Sequence, residues 1–414
     1  MRADIKGIVI ICNLDTRGED IVFVRDLIKG RGHNPILVDF SMEMEPPVQG
    51  DITCAEVARR GGMDIEEVRK CYRTDRERAT NNQITGASAI VDELHKAGKV
   101  HGVLGIGGAT STLVSTAVMQ KLPFGLPKYM ATPAAALPRY VEKGIGTRDV
   151  TMHNTVLDIV KMNPLLKAQI TNAVGAICGM VEMSLGTEFQ FDKPVIAISS
   201  LGFAEVPVQA SVDLLEQAGF IPVTCHAQGK GDRAMEEMIA DGMFQGIIDF
   251  VTGGITEHLF GGNRDAGPDR LMAAVRRAIP AVLAPCGMDC LSYSGNDAML
   301  EATKDRARYV TDSFRVQVRT TADELRQAAE VIADRLNRSA APFMFLIPLK
   351  GWSSVDREGL PLYDPEANAA FAERLKERLD NKAAVKEVDL HLYTPEFARV
   401  AVDEFLRLYK QSAN

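Results

Sequence analysis

Two short loops carry the residues best suited to chemistry. The run Val100 to Ile106 is apolar, stops at Gly107-Gly108 and passes through Ala109-Thr110-Ser111-Thr112 into Leu113 to Met119. That order predicts a buried strand, a tight turn and a helix start. Glycines such as Gly105, Gly107 and Gly108 let a ligand approach the backbone, and the following helix offers unpaired amides and a positive dipole end. A phosphate suits such a cradle, with Thr110, Ser111 and Thr112 at hand. A plain strand-to-helix turn accounts for the same glycines, so both readings stay open. No Gly-Lys-Ser/Thr follows, so this is no Walker A loop and a nucleotide must be held another way.

The second loop, Asn13-Leu14-Asp15-Thr16-Arg17-Gly18, follows the apolar run Gly7 to Cys12. Here Asp15 can hold Mg²⁺ or a ribose hydroxyl and Arg17 a phosphate; the alternative is that Asp15 and Thr16 cap a helix beginning near Gly18. A third stretch, Cys225 to Ala234, places Gly229, Gly231 and Ala234 in the loose dinucleotide pattern, with Asp249 further on. Lys230 and Arg233 there can contact an anion. His226 is a candidate acid or base, as are His153, His258 and Asp289. The catalytic candidates are thus Asp15, His226 and Asp289, since no Ser-His-Asp or Cys-His set assembles from spacing. Trp352 reads as core.

The elements that must position these loops alternate. Strands at Gly7–Cys12, Pro35–Val38, Val100–Ile106 and Lys128–Ala131 are separated by helical patterns, including Ile21, Val24, Leu27 and Ile28 on one face and Ile84, Ala87, Val91 and Leu94 on another. Two short helices between Ile52 and Tyr72, broken at Gly61-Gly62, read as an insertion. A second cycle begins at Pro194–Ser200 and runs through Ile221–Cys225, Gly246–Val251, Ala281–Ala284, Phe343–Ile347 and Val385–Val388, with closing helices at Pro365–Leu379 and Pro395–Tyr409. The expectation is an α/β protein of two Rossmann-like doubly wound parallel-sheet domains, 1–188 and 189–414, facing across a cleft. If the first sheet has order 2-1-3-4, the Asn13 and Gly107 loops face each other at the strand-order reversal. Between the cycles, Asn163 to Leu185 is a helix whose Gly175 and Gly179 admit a close partner helix.

Composition excludes several classes. With 414 residues, 46% of them hydrophobic, the chain can bury a large core. A balance of 47 basic against 55 acidic side chains, net −8, disfavours nucleic acid. Met1 to Leu14 is too short and interrupted for a signal peptide, and no apolar run approaches the ~18 residues of a membrane span, so a cytoplasmic location is expected. Seven scattered cysteines suit reduced buried thiols better than disulfides, and Cys286 and Cys290 lack the partners of a zinc site.

Much of the chain resembles the ATP-binding family of the tomato mosaic virus resistance protein and its bacterial relatives. The likeness runs through Leu14-Asp15-Thr16-Arg17-Gly18-Glu19, Gly105-Ile106-Gly107-Gly108 and Leu122-Pro123-Phe124-Gly125-Leu126-Pro127-Lys128. It continues at Asn172-Ala173-Val174-Gly175-Ala176, His226-Ala227, Arg233-Ala234-Met235-Glu236-Glu237, Phe260-Gly261-Gly262, Ala266-Gly267-Pro268-Asp269-Arg270-Leu271 and Tyr363-Asp364-Pro365-Glu366-Ala367. The resemblance implies two Rossmann-like subdomains, ATP binding and homodimers. Departures occur where the family usually has Thr and this chain has Asn13, where it has further glycines and this chain has Thr110 and Ser111, and where its Thr-Gly-Thr-Gly-Gly-Arg loop is Gln228-Gly229-Lys230-Gly231-Asp232-Arg233. The family's plant member carries an additional barrel domain, absent from this chain, so a separate barrel-domain partner is implied for any function needing it.

Three functions compete. The first is an ATP-dependent enzyme acting on a small metabolite in the interdomain cleft, lined by Ser200 to Phe203, Gly253-Gly254 and Cys286 to Asp289, with Mg²⁺ near Asp15. The second is a nucleotide-sensing regulatory or interaction protein without turnover. The third is an NAD(P)-dependent oxidoreductase using Gly229 to Ala234.

Overall fold

The computed structural model describes residues 5–159, 161–187, 189–295 and 298–412. The chain divides into two compact units, Met1–Phe189 and Gln190–Asn414. Residue 188, where the sequence puts the boundary, and residues 1–4 of the N-terminal stretch lie outside the described residues.

The first unit runs β1 (Gly7–Cys12), α1 (Leu14–Gly30), β2 (Asn34–Asp39), α2 (Cys54–Gly61), α3 (Ile65–Thr74), α4 (Arg76–Lys96), β3 (Gly102–Ile106), α5 (Ala109–Met119), β4 (Lys128–Thr132), α6 (Pro138–Ile145), β5 (Thr151–Asn154) and α7 (Pro164–Met183). Its five strands are parallel in the order β2-β1-β3-β4-β5. All six residues of β1 are buried, as expected of a central strand covered on both faces. The period-two alternation sorts them: Ile8 and Ile10 pack with Ile21, Val24, Ile170 and Val174 under α1 and α7. Val9 and Ile11 pack with Val91, Val114 and Val118 under α4 and α5. Side-chain caps start the two insertion helices and the long helix after them: Thr53 accepts from the Glu56 amide at α2, Asp64 from Glu67 at α3 and Asp75 from Arg78 at α4.

The second unit runs β6 (Val195–Ser200), α8 (Glu205–Gln217), β7 (Ile221–His226), α9 (Lys230–Ala240), β8 (Gly246–Asp249), α10 (Gly254–Phe260), α11 (Met272–Arg277), β9 (Ala281–Leu283), β10 (Cys290–Tyr293), α12 (Met299–Ala302), β11 (Arg308–Asp312), β12 (Arg315–Arg319), α13 (Ala322–Leu336), β13 (Phe343–Pro348), α14 (Pro365–Arg378), β14 (Val385–Val388) and α15 (Pro395–Ser412). Six strands form a parallel sheet in the order β14-β13-β9-β8-β6-β7. Both units are therefore doubly wound, as the alternation of patterns predicts. The antiparallel sheet β10-β12-β11 was not expected. Its strands are short and mix arginines with apolar residues; β11 and β12 pair as a hairpin, and β10 joins them from a more distant segment, Cys290 opposite Arg319 for example. The seven cysteines are free thiols, six of them buried, and no helix among the described residues is long and apolar enough to cross a membrane.

Candidate functional site

In the first sheet the order reverses between β1 and β3: β2 lies on one side of β1 and the later strands on the other. The helices that follow leave on opposite faces, α1 toward the Ile8 and Ile10 side, α5 toward the Val9 and Ile11 side. Such a reversal opens a crevice beyond the strand ends. The Asn13 and Gly107 loops meet there, Ser111 Oγ donating to Asn13 Oδ1 at 3.0 Å. A cavity of about 240 Å³ lies between them, walled by Asn13, Asp15, Thr16, Arg17 and the Gly108 to Ser111 turn. Phe40, Met42, Glu43 and Tyr72 close its remaining side.

The two helix starts at this crevice differ. At α5 the N-cap is Gly108, with no side-chain cap, and the first amide turned inward is Thr112 N, 2.9 Å from Gly108 O. Among the described residues the amides of Ala109, Thr110 and Ser111 have no protein acceptor. Gly107 makes the turn possible with φ +148°, and a Cβ there would stand 2.5 Å from Ser111 Cβ. Gly108 has ordinary dihedrals and nothing within 4 Å of an added Cβ, because it fronts the cavity. Arg17 lines the cavity and makes no side-chain ion pair among the described residues, although it stands near enough to Asp20 for its charge to favour that carboxylate.

At α1 the protein caps the first two amides itself. Asp39, the last residue of β2, accepts from Leu14 N at 3.1 Å, and Ser41 Oγ accepts from Asp15 N at 2.9 Å. The same Asp39 oxygen takes the amide and hydroxyl of Ser41 at 3.0 and 2.5 Å. Burial pushes the Asp39 carboxyl above its ordinary pKa, against the pull of these donors. The helix thus begins at Leu14 rather than near Gly18, and Asp15 and Thr16 are first-turn residues, not caps. Asp15 Oδ2 instead accepts the amides of Glu43 and Met44 at 3.1 and 3.4 Å, tying down the loop that follows β2. Asp39 and Glu43 escaped the sequence reading, although an acid at the end of a second strand is a recognisable signal. Tyr72 arrives from the insertion and has no such signal.

Other expected site residues fall elsewhere. Gly105 lies inside β3, where a Cβ would meet Ser115 Cβ and Met130 Sδ at 2.5 Å; it admits α5 rather than a ligand. The Thr112 hydroxyl is buried, 2.9 Å from Gly108 O and 2.8 Å from Thr132 Oγ1. Lys230 and Arg233 belong to the second unit, where Lys230 opens α9 and Arg233 pairs with Asp265 at 3.3 Å on the wall of a separate groove. The loop carrying Gly229 and Gly231 follows β7, an edge strand, and Asp249 is buried and bonded to Arg270 Nη2 at 2.8 Å. That carboxylate is committed to Arg270, which also grips Asp232 and Glu236, so the dinucleotide pattern lacks its ribose acid. His226 is exposed at the end of β7. His153 joins Tyr129 Oη at 2.9 Å, and His258 joins Asp265 at the same distance.

In the second unit the loops expected to line a cleft are mostly packed interior. Gly253 abuts Gly287, and Cys286 and Asp289 are fully buried; only Ser200, Gly202 and Phe203 reach the surface. Asp289 accepts from Ser353 Oγ at 2.7 Å and from Gly287 N at 3.1 Å. Burial, reinforced by the neighbouring Asp356 charge and opposed by Arg319, raises its pKa to about 6. Trp352 is fully buried edge-on to Phe371, a core residue as expected.

Fold and site together define a doubly wound α/β protein with an uncapped helix start at the strand-order reversal of its first unit. Residues 6–185 match the N-terminal domain and residues 193–409 the C-terminal domain of the "Uncharacterised protein family (UPF0261)", and the chain belongs to this family. It is 32% identical over 407 residues to a UPF0261 protein of Clostridium tetani, covering 98% of this chain and 100% of that one. It is distantly related to the ToMV resistance protein Tm-1(GCR237) of Solanum lycopersicum, 29% identical over 317 residues, covering 75% of this chain and 42% of the tomato protein. Among solved structures, an S. aureus MnaA-UDP co-structure aligns over 67% of this chain and 79% of its own at 11% identity, with a TM-score of 0.20.

Proposed function

We propose that the first unit binds ATP, with its phosphates against the start of α5, and that the protein is an ATP-dependent enzyme of small-molecule metabolism. The observation that carries the reading is the contrast between the two helix starts: at α1 the amides of Leu14 and Asp15 are capped from within, while at α5 all three amides of Ala109, Thr110 and Ser111 stay unpaired beside a cavity that also holds Arg17. Unpaired amides at a helix N-terminus attract a phosphate through both hydrogen bonds and the helix dipole. The cavity also carries Asp15 and Glu43, two carboxylates against one arginine, so a polyphosphate entering it calls for a countercharge such as Mg²⁺. The family resemblance supports the choice of ATP among phosphate compounds. A sensing role without turnover is the second reading, favoured by the tomato relative, whose name describes resistance rather than a reaction.

Calorimetry with ATP and Mg²⁺ tests the binding. Gly107→Val is a poor probe, because its side chain would drive into Ser111 and disturb the turn itself. Gly108→Val adds its methyl groups to open space and should leave folding intact while lowering ATP affinity by about tenfold or more, roughly 1.4 kcal/mol. Undiminished affinity in folded Gly108→Val would sink the phosphate reading. Phosphate release on adding candidate metabolites separates the enzyme from the sensor.

A further inference from the structure

The end of the second strand is where a doubly wound nucleotide site ordinarily presents a carboxylate to ribose hydroxyls. Here that position is Asp39, and it is unavailable. It is 1% exposed, and its Oδ1 takes Leu14 N, Ser41 N and Ser41 Oγ. The chain then passes along the cavity wall, and Glu43 brings an exposed carboxylate to the lining four residues later. Its place is fixed by its own amide, held on Asp15 Oδ2 at 3.1 Å. Tyr72 lines the same wall from α3, half-buried, its ring backed by the Arg76 guanidinium 4.3 Å from the centroid. The Tyr72 hydroxyl has no hydrogen-bond partner among the described residues. Burial raises its pKa, against the pull of the Arg76 charge, and Glu43 and Asp15 lie close enough to add a smaller push in the same direction as burial. Phe40 and Met42, both buried, supply the apolar part of the wall.

We propose that Glu43 and Tyr72 form a sugar-recognition subsite that reads a vicinal diol and so selects a ribonucleotide over a deoxyribonucleotide. The inference rests on the phosphate reading of the α5 turn. One diol hydroxyl donates to the Glu43 carboxylate, and a sugar oxygen accepts from the Tyr72 hydroxyl, a matched acceptor and donor on one wall. A ligand lacking the 2′-hydroxyl forgoes this hydrogen bond to a charged acceptor, which is stronger than one between neutral groups.

The experiment is calorimetric titration of the full chain, as wild type, Glu43→Gln and Tyr72→Phe, with ATP, 2′-deoxy-ATP and inorganic tripolyphosphate in Mg²⁺. Wild type is expected to prefer ATP to 2′-deoxy-ATP by about tenfold or more, and each variant to reduce that preference to about threefold or less. Tripolyphosphate affinity should not fall in either variant. Equal wild-type affinity for the two nucleotides, with tripolyphosphate still bound, overturns the subsite and leaves the phosphate reading standing. Persistence of the preference in both variants, or a matching loss of tripolyphosphate affinity, also overturns it. Failure of wild type to bind tripolyphosphate or ATP overturns both readings.

Discussion

Asp39 and Asp289 are both carboxylates taken out of water, and their surroundings put them to different uses. Asp39 stands where two loops leave the sheet and satisfies donors from both, so its burial organises the crevice. Asp289 faces a second buried acid, Asp356, and is held by Ser353 Oγ and one amide. Its folded pKa of about 6 lies above the ordinary 3.8, so the native state binds the proton more tightly than the unfolded chain does. The stability this contributes is full below about pH 4 and is lost as pH rises through about 6. Replacing it by Asn keeps the shape and removes the titration. Urea unfolding of Asp289→Asn at pH 4.5 and 7.5 should show the second unit gaining stability relative to wild type at the higher pH, up to the order of 3 kcal/mol. An unchanged difference between the two proteins across that range would mean Asp289 does not titrate there.

At the scale of elements, α1 and α5 begin beside each other at the ends of neighbouring strands, yet α5 keeps its first three amides unpaired while α1 has two of its three taken. The difference comes from β2, whose last residue reaches across to cap α1. Asp39→Ala should strand Leu14 N and both Ser41 donors in a buried setting and cost about 1–3 kcal/mol. It should also loosen the loop from Ser41 to Met44, which carries Glu43. Thermal unfolding of the variant checks the first effect, and weakened ATP binding by the folded variant checks the second; a melting temperature equal to wild type would show that α1 does not depend on this cap. Sequence could not separate the two helix starts, because the group that caps α1 is 25 positions away. The same remoteness hid Tyr72, brought to the crevice by α3, whose pairing with α4 depends on apolar contacts such as Val68 and Cys71.

At the scale of the whole molecule, each unit has its own cores on the two faces of its own sheet. On α7, Gly175 and Gly179 have nothing within 4 Å of an added Cβ, and Met183, one turn on, is 81% exposed. The face is open where a second helix can approach closely, and a homodimer through α7 is the expected assembly. Gly175→Arg fits sterically in the single chain, so it should turn a dimer into a folded monomer. Light scattering at micromolar concentration reads this directly, and a monomeric wild type would end the proposal.

Sequence alone determined the alternation of strand and helix, because a strand buried on both faces must be apolar throughout, as Gly7 to Cys12 is, and a helix packed on one side must repeat every third or fourth residue, as Ile21, Val24 and Ile28 do. It also determined the Gly107-Gly108 break before α5, since only a glycine accepts φ +148° beside Ser111. Tertiary structure decided which glycine fronts the cavity, which helix start stays unpaired, and which acids remain accessible. It buried Asp39, Asp249 and Asp289 among donors drawn from distant segments and left Glu43 on the surface. Those outcomes depend on desolvation and on hydrogen bonds between residues remote in the chain, and neither leaves a local pattern to read.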